Sequence, residues 1–355
     1  MALGACKVEP GRGGVEFRGD TALLYRANLW LRTAIRILHP IQEADVHTTD
    51  ELYEFARQQN WAEFLTADHT FAIDCNVRDS AITHSQYAAR RVKDAICDQF
   101  RDRTGRRPSV DPDQPMIGFN LHISRNHAVL SRDSSWSSLH KRGYRPVQTI
   151  APLNEALAAG LLLHTEWDPT TPLVDPLCGS GTFCIEAAWL ALHRAPGLTR
   201  RWFGFQGWLD FDRALWNALR DEARSLIRKQ LPAPIVGSDV HRGAIQLAQA
   251  NSRAAGVGHF LKLEQKDILK ARPPEGRPGM VIVNPPYGER IGEEREWVGL
   301  YQNLGEVIRT YWAGWRFLVF TSNDRLARQV GLPIMNHWPF FNGKLRCQLW
   351  EYSTQ

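Results

Sequence analysis

The stretch with the clearest chemical meaning reads Met280-Val281-Ile282-Val283-Asn284-Pro285-Pro286-Tyr287-Gly288. Val, Ile and Met suit a buried strand. Two prolines lack the N–H and fix φ, so the strand stops and leaves Asn284 at its carboxyl end. In an open α/β sheet, ligands bind at that end. Such a turn suits group transfer to a planar –NH2. The amine lone pair is delocalised, which makes the nitrogen a poor nucleophile until acceptors hold its hydrogens and let it pyramidalise. The Asn284 side-chain carbonyl is one acceptor and the Pro285 backbone carbonyl another. Pro286 stiffens the turn, and Tyr287 can stack on a flat base. This is positioning plus preorganised electrostatics, with no covalent intermediate. Alone, the same residues also describe an ordinary Asn-Pro turn.

A second cluster lies upstream. Asp175-Pro176-Leu177-Cys178-Gly179-Ser180-Gly181-Thr182 is a glycine-rich turn between a strand and a helix, where backbone N–H groups can approach a ligand. It is neither Gly-x-Gly-x-x-Gly nor a P-loop, which disfavours dinucleotides and nucleoside triphosphates. The next two strands end in Asp239, placed for ribose hydroxyls, and Asp267, placed for an adenine amino group. Any one acid is more often a turn or cap. In this order, ahead of Asn284, they describe a nucleoside lying across a sheet edge towards an amine. S-adenosylmethionine fits, with a ribose, an adenine and a cationic sulfonium.

These residues need a sheet to align them, and the periodicity from residue 151 onward alternates strands and helices accordingly. Strands are expected at 172–177, 235–239, 261–264, 280–283 and 317–320. Helices are expected at 153–163, 183–192, 242–255 and 297–312. A Trp-rich insertion at 196–231 carries a helix at 214–229, and 335–352 reads as two strands around Asn342-Gly343. With 355 residues, 43% of them hydrophobic, the chain has material for two domains. Six scattered cysteines without a C-x-x-C speak against a disulfide framework or zinc site and for a reducing cytoplasm. There is no signal peptide pattern and no apolar run of membrane-spanning length. The chemistry requires no metal.

The front of the chain is less regular. A short strand is expected at 15–17 without a preceding partner, then a helix at 25–38 ending at His39-Pro40. An α/β segment from 41 to about 130 has a helix at 49–57, a strand at 71–75, a helix at 85–100 and a hairpin turning at Arg125-Asn126. A formal charge of +5 is compatible with nucleic acid without proving it. Arg90, Arg91 and Lys93 on the 85–100 helix, with Arg101, Arg103, Arg106 and Arg107 in a loop at 101–108, could grip phosphates. In the 131–150 connection, Lys141, Arg142 and Arg145 could do the same while Tyr144 meets a base. A solvated face with a basic loop explains the first group equally well, and an ordinary charged linker is the alternative for the second.

The chain resembles the bacterial 23S ribosomal RNA guanine-N2 methyltransferases, specifically the amino-terminal half of the fused large-subunit enzyme. The resemblance rests on Gly13-Gly14-Val15-x-Phe17-x-Gly19-Asp20, Ser85-Gln86-Tyr87 through Val92-Lys93-Asp94-Ala95-Ile96, and Leu139-His140-x-Arg142-Gly143-Tyr144-Arg145. It also rests on the glycine turn and on Asn284-Pro285-Pro286-Tyr287-Gly288-Glu289-Arg290. It implies an α/β fold: a partial ferredoxin-like piece (1–40), a THUMP RNA-binding domain (41–132), a linker (133–150) and a Rossmann-like methyltransferase domain (151–355). It implies methylation of a guanine amine in domain V of 23S rRNA, naked or in an assembly particle. S-adenosylmethionine would be held by residues 175–182, Asp239, Asp267 and Asn284, with Asn284 and Tyr287 meeting the base. Two features depart from the family. Relatives begin with a further strand and helix, and Trp136 stands where they tend to have Gly.

Rival readings share parts of this pattern. A tRNA guanine-N2 methyltransferase has the same plan. Protein-glutamine N5 or DNA adenine-N6 methylation uses the same proline turn but does not explain the basic front segment. An inactive RNA-binding assembly protein would lose S-adenosylmethionine and keep RNA.

Overall fold

A computed structural model of the chain describes residues 3–11, 13–145, 153–287 and 294–355. Arg12, the end of the expected linker and Gly288-Glu289-Arg290 lie outside the described residues. The chain divides into two compact units. One is Met1–Leu139 with Arg200–Asp221, and the other is His140–Thr199 with Glu222–Gln355.

The first unit opens with a hairpin, β1 (Lys7–Gly11) and β2 (Gly14–Arg18), paired antiparallel. The strand expected at 15–17 therefore has a partner. Both strands are largely exposed, so no buried alternation marks β1 in the sequence. Next comes α1 (Thr21–Trp30), started by the Asp20 carboxylate, which accepts the Leu23 N–H at 2.8 Å. The helix expected to reach residue 38 ends here, because Leu38 belongs to a sheet. The elements that follow are β3 (Leu38–Asp45), α2 (Thr49–Gln58), β4 (Thr70–Arg78), α3 (Ser85–Thr104), β5 (Ser109–Val110), β6 (Ile117–Ser124) and β7 (His127–Asp133). The sheet order is β3-β7-β6-β4-β5. Pro40 sits on the edge strand at a register shift, where a missing N–H is tolerated. Arg125 (φ 52°) and Asn126 (φ 66°) make the tight turn between β6 and β7.

Two expectations change in this unit. Arg101 and Arg103 lie in the last turn of α3, where basic side chains favour the helix dipole, and only residues 105–108 remain as loop. Residues 200–221 of the Trp-rich insertion pack with the first unit, not with the expected 151–355 domain. Their aromatics gather on Tyr25, whose ring stacks on Phe205 at 4.4 Å, with Phe203 and Trp216 at 5.4 and 5.0 Å from Phe205. Arg132 is clamped there, 3.6 Å from the Trp208 ring and bidentate to Asp210 at 2.9 and 3.1 Å.

Trp136 also finds its reason here. Its φ of 56° is a conformation glycine takes without cost and other L-residues at about 1–2 kcal/mol. The indole lies so close to Gly118 that a Cβ there would come within 2.1 Å of it. The ring packs on the bare backbone of Gly118.

After residue 153 the elements are α4 (Glu155–His164), β8 (Leu173–Asp175), α5 (Thr182–Ala191), α6 (Arg213–Ser225), β9 (Ile235–Asp239), α7 (Arg242–Ala254) and β10 (Leu261–Gln265). Then come β11 (Met280–Val283), α8 (Glu294–Tyr311), β12 (Arg316–Thr321), α9 (Asp324–Gln329), β13 (Ile334–Asn342) and β14 (Leu345–Tyr352). The second unit's sheet runs β10-β9-β8-β11-β12-β14-β13. Pairing is parallel through β12 and antiparallel at β14 and β13. Side chains alternate between two cores, as a sheet covered on both faces requires. Met280 and Ile282 enter the core with α4 and α5, while Val281 and Val283 enter the one with α8 and α9.

Candidate active site

The second unit's strand order reverses between β8 and β11: β9 follows β8 on one side and β11 lies on the other. That switch point opens a crevice at the carboxyl ends of the strands. Asp175 ends β8, Asp239 ends β9, Asp267 follows β10 and Asn284 follows β11, so the four residues line one edge. All three acids close their strands with the same local turn, accepting the N–H two residues ahead. The pairs are Asp175–Leu177 at 3.2 Å, Asp239–His241 at 2.9 Å and Asp267–Leu269 at 2.9 Å. These turns are the bland function of such acids, and they also fix each carboxylate at the edge. A carboxylate has about four acceptor positions, so one or two backbone contacts do not saturate it.

The glycine turn is bound to its neighbours. Gly179 donates its N–H to the second Asp239 oxygen at 3.1 Å, and the Cys178 N–H reaches the Ser238 carbonyl at 2.9 Å. The Asn251 side-chain amide donates to the Ser180 carbonyl at 3.0 Å. Gly179 (φ 51°) and Gly181 (φ 81°) take left-handed backbone, and at Gly181 a Cβ would press on Ala248 at 3.1 Å. Cys178 and Thr182 are buried, and the Thr182 hydroxyl accepts from Arg145. Burial pushes the Cys178 and Cys184 thiols up, which removes them as nucleophiles. Asp175 is buried as well. Burial pushes its carboxyl up to about 8, opposed by the Leu177 N–H and reinforced by Asp239.

At the proline turn, Pro285 is buried, Pro286 exposed and Tyr287 packed against the α8–α9 core. The Asn284 Oδ1 is buried and has no hydrogen-bond partner among the described residues. An orphaned acceptor beside a glycine turn and ordered carboxylates fits a nucleoside donor with an amine acceptor. Residues that sequence reasoning missed lie close in the chain. Val240, directly after Asp239, and Leu269, two residues after Asp267, are large apolar side chains left 50% and 46% exposed at this edge.

The expected RNA contacts separate into two groups. Arg90, Arg101, Arg103, Arg106, Arg107 and Lys141 are exposed. Arg101 pairs with Asp98 at 2.8 Å, Arg103 donates to Asn60 at 2.7 Å and Arg106 pairs with Asp68. Exposed pairs of this kind break at little cost and leave the cations available to phosphate. Lys93 pairs with Asp94, and Arg91 stitches α3 to α2 through Asp50 at 2.8 Å and the Thr49 carbonyl.

Arg142, Tyr144 and Arg145 require correction. Arg142 and Tyr144 are 1% exposed, and a buried ring cannot stack on a base. The Tyr144 hydroxyl donates to Glu186 Oε1 at 3.3 Å, and the Arg142 Nε lies 3.5 Å from the same oxygen. Arg145 donates to the Thr182 hydroxyl at 2.5 Å and the Leu153 carbonyl at 2.8 Å, with Glu155 at 3.4 Å. These residues anchor the helix behind the glycine turn. One signal could have found them: Glu186 is the single acid in the apolar helix Thr182–Ala191, which implies a buried cation.

Residues 142–351 match the RMKL-like methyltransferase domain. The chain belongs to that methyltransferase family. Residues 46–133 match the THUMP domain, and residues 1–38 the RlmL ferredoxin-like domain. The ribosomal RNA large subunit methyltransferase K/L of Syntrophotalea carbinolica is 44% identical, with 99% of this chain and 51% of that protein covered. A putative RNA methyltransferase of Synechocystis is also 44% identical, with 99% and 91% covered. A crystal structure of a putative methyltransferase complexed with SAH matches with a TM-score of 0.88, 30% identity, and 99% and 93% coverage. The chain spans about half the length of its K/L relatives. The family is S-adenosylmethionine-dependent. Among the described residues, no cluster of three or more His, Cys, Asp or Glu could hold a metal, and no helix is long and apolar enough to cross a membrane.

Proposed function

We propose that the protein transfers a methyl group from S-adenosylmethionine to the exocyclic N2 of a guanine in 23S rRNA, in domain V. The observation that carries this reading is the orphaned, buried Asn284 oxygen at the switch point. The K/L relatives, named for methylation of large-subunit rRNA, and the THUMP match support RNA as the substrate class. A cytoplasmic location goes with that substrate.

In this reading Asp239 would take the ribose hydroxyls and Asp267 would accept from the adenine amino group, with the exposed apolar side chains of Val240 and Leu269 close to them in the chain. Residues 175–182 frame the methionine end. When bound, the cofactor supplies a methyl carbon on a sulfonium leaving group. Asn284 Oδ1 accepts one hydrogen of the guanine amine and the Pro285 carbonyl the other, while Tyr287 supports the base. The nitrogen lone pair is thereby released for in-line attack. Transfer would form the N–C bond as the C–S bond breaks, leaving the electron pair on sulfur and passing the amine proton to solvent. The residues contribute orientation and charge complementarity.

The deciding experiment is transfer of labelled methyl to deproteinised 23S rRNA and, separately, to bulk tRNA, followed by nucleoside analysis. N2-methylguanosine in 23S rRNA alone is the expected result. Label in tRNA alone promotes the tRNA enzyme. Cofactor and RNA binding without transfer to RNA or ribosomal precursor particles overturns the enzymatic reading.

Two further outcomes test parts of the site. Asp175, held neutral near neutral pH by burial, must ionise to complement a sulfonium. Its raised folded value means that the folded protein holds a proton the unfolded chain has lost between about pH 4 and 8, so this group lowers stability as pH rises through that window. Cofactor binding must expel that proton. Affinity for S-adenosylmethionine is therefore expected to rise with pH up to about 8 and then level, more steeply than for the uncharged thioether product, as read by calorimetry. Equal slopes for the two ligands would reject the coupling. For RNA, charge reversal of Arg90, Arg101, Arg103, Arg106 and Arg107 is expected to weaken binding and flatten its salt dependence by about one unit per lost phosphate contact. An unchanged slope returns these residues to a solvated face.

A further inference from the structure

We infer that Asn323 is a positioning residue for the proline turn, acting on the transfer step through the Tyr287 backbone. It rests on the methyl-transfer reading above. Asn323 stands just beyond the carboxyl end of β12, the strand paired in parallel with β11, so it reaches the same sheet edge as Asn284. Its Oδ1 accepts two N–H groups, from Arg325 at 3.1 Å and Leu326 at 3.0 Å, and so caps α9. That commitment decides which way the amide faces. The Nδ2 end is turned to the Tyr287 carbonyl, 3.4 Å away.

The base of this arrangement is buried and tied down. The Asn323 N–H donates to the Thr321 hydroxyl at 3.1 Å, and that hydroxyl lies 3.1 Å from the fully buried Tyr301 hydroxyl on α8. One side chain therefore does two jobs with opposite ends. Its oxygen starts a helix, and its nitrogen holds the last residue of the Asn-Pro-Pro-Tyr turn. At 3.4 Å the second bond is long, as catalytic contacts often are before substrate arrives, and it can tighten when a base loads the turn. Prolines at 285 and 286 make the turn stiff, so a tether at Tyr287 is transmitted to the Pro285 carbonyl and the Asn284 side chain.

The two ends can be separated by substitution. Aspartate and serine both cap helices as asparagine does, but Asn323→Asp presents only acceptors and Asn323→Ser is too short to reach Tyr287. Both variants are expected to keep the wild-type melting temperature and KM for S-adenosylmethionine, and to lose roughly tenfold to a hundredfold in kcat. Asn323→Ala, which loses cap and tether together, is expected to lose both kcat and melting temperature. Wild-type kcat in the aspartate and serine variants, with only the alanine variant impaired, reduces Asn323 to a helix cap and overturns the inference. A parallel fall of kcat and melting temperature in all three also overturns it, because a structural defect then explains everything. Absence of methyl transfer by the wild-type chain itself overturns the reading beneath, and the inference with it.

Discussion

Asn284→Ala is expected to lower turnover by about 10²–10³-fold while leaving affinity for S-adenosylmethionine nearly unchanged and folding stability unchanged or raised. The Asn284 oxygen is buried and accepts nothing among the described residues, so the fold gains no hydrogen bond from it. An acceptor left in that state costs about 1–3 kcal/mol, which is consistent with a group kept for a partner that arrives with substrate. On the proposed reading, deleting it removes an interaction with the reacting amine that strengthens as the nitrogen pyramidalises. The loss should therefore appear in kcat and not in cofactor binding. Single-turnover transfer and calorimetric cofactor titration on the same preparation measure both. An alanine variant at full rate removes Asn284 from the chemistry and returns the turn to a structural role. A variant that has lost cofactor binding moves Asn284 from the acceptor side of the site to the donor side.

Glu186→Ala is expected to cost about 3–5 kcal/mol of stability. Glu186 has no exposure and meets the 1%-exposed Arg142 and Tyr144. Removing the carboxylate takes away the counter-charge of a guanidinium already withdrawn from water. Glu186→Gln keeps an acceptor for the Tyr144 hydroxyl and is expected to lose less. Urea denaturation of both variants gives the order. The same experiment separates two roles for the segment at 142–145. If these residues met RNA, their substitution would weaken RNA binding in a protein of normal stability. Packed as they are behind the glycine turn, they should instead lower stability, with RNA affinity following only as the folded fraction falls.

Several features were legible because they are local. Met280–Val283 running into two prolines can only be a strand that stops, and alternation places its side chains on two faces. Asp-rich strand ends and Gly179-Ser180-Gly181 report turns whose backbone demands are written in the residues themselves. The hairpin at Arg125-Asn126 belongs to the same class. Charge by itself did not say where a cation points. Arg106 and Arg142 are equally basic in the sequence, yet one is exposed beside Asp68 and the other is buried against Glu186, 44 residues further on. Only packing distant segments together distinguishes them, because the cost of burying a guanidinium depends on what surrounds it. The same holds for the aromatic insertion at 200–221, whose rings gather around Tyr25 nearly two hundred residues earlier, and for β3, where sheet pairing overrode a helical pattern ending at Leu38. The sequence by itself determined which residues stand at the strand ends and the turns they make, since that depends on residue type and neighbours in the chain. The tertiary structure decided which charged and aromatic side chains face water, since desolvation and pairing are properties of the assembled fold.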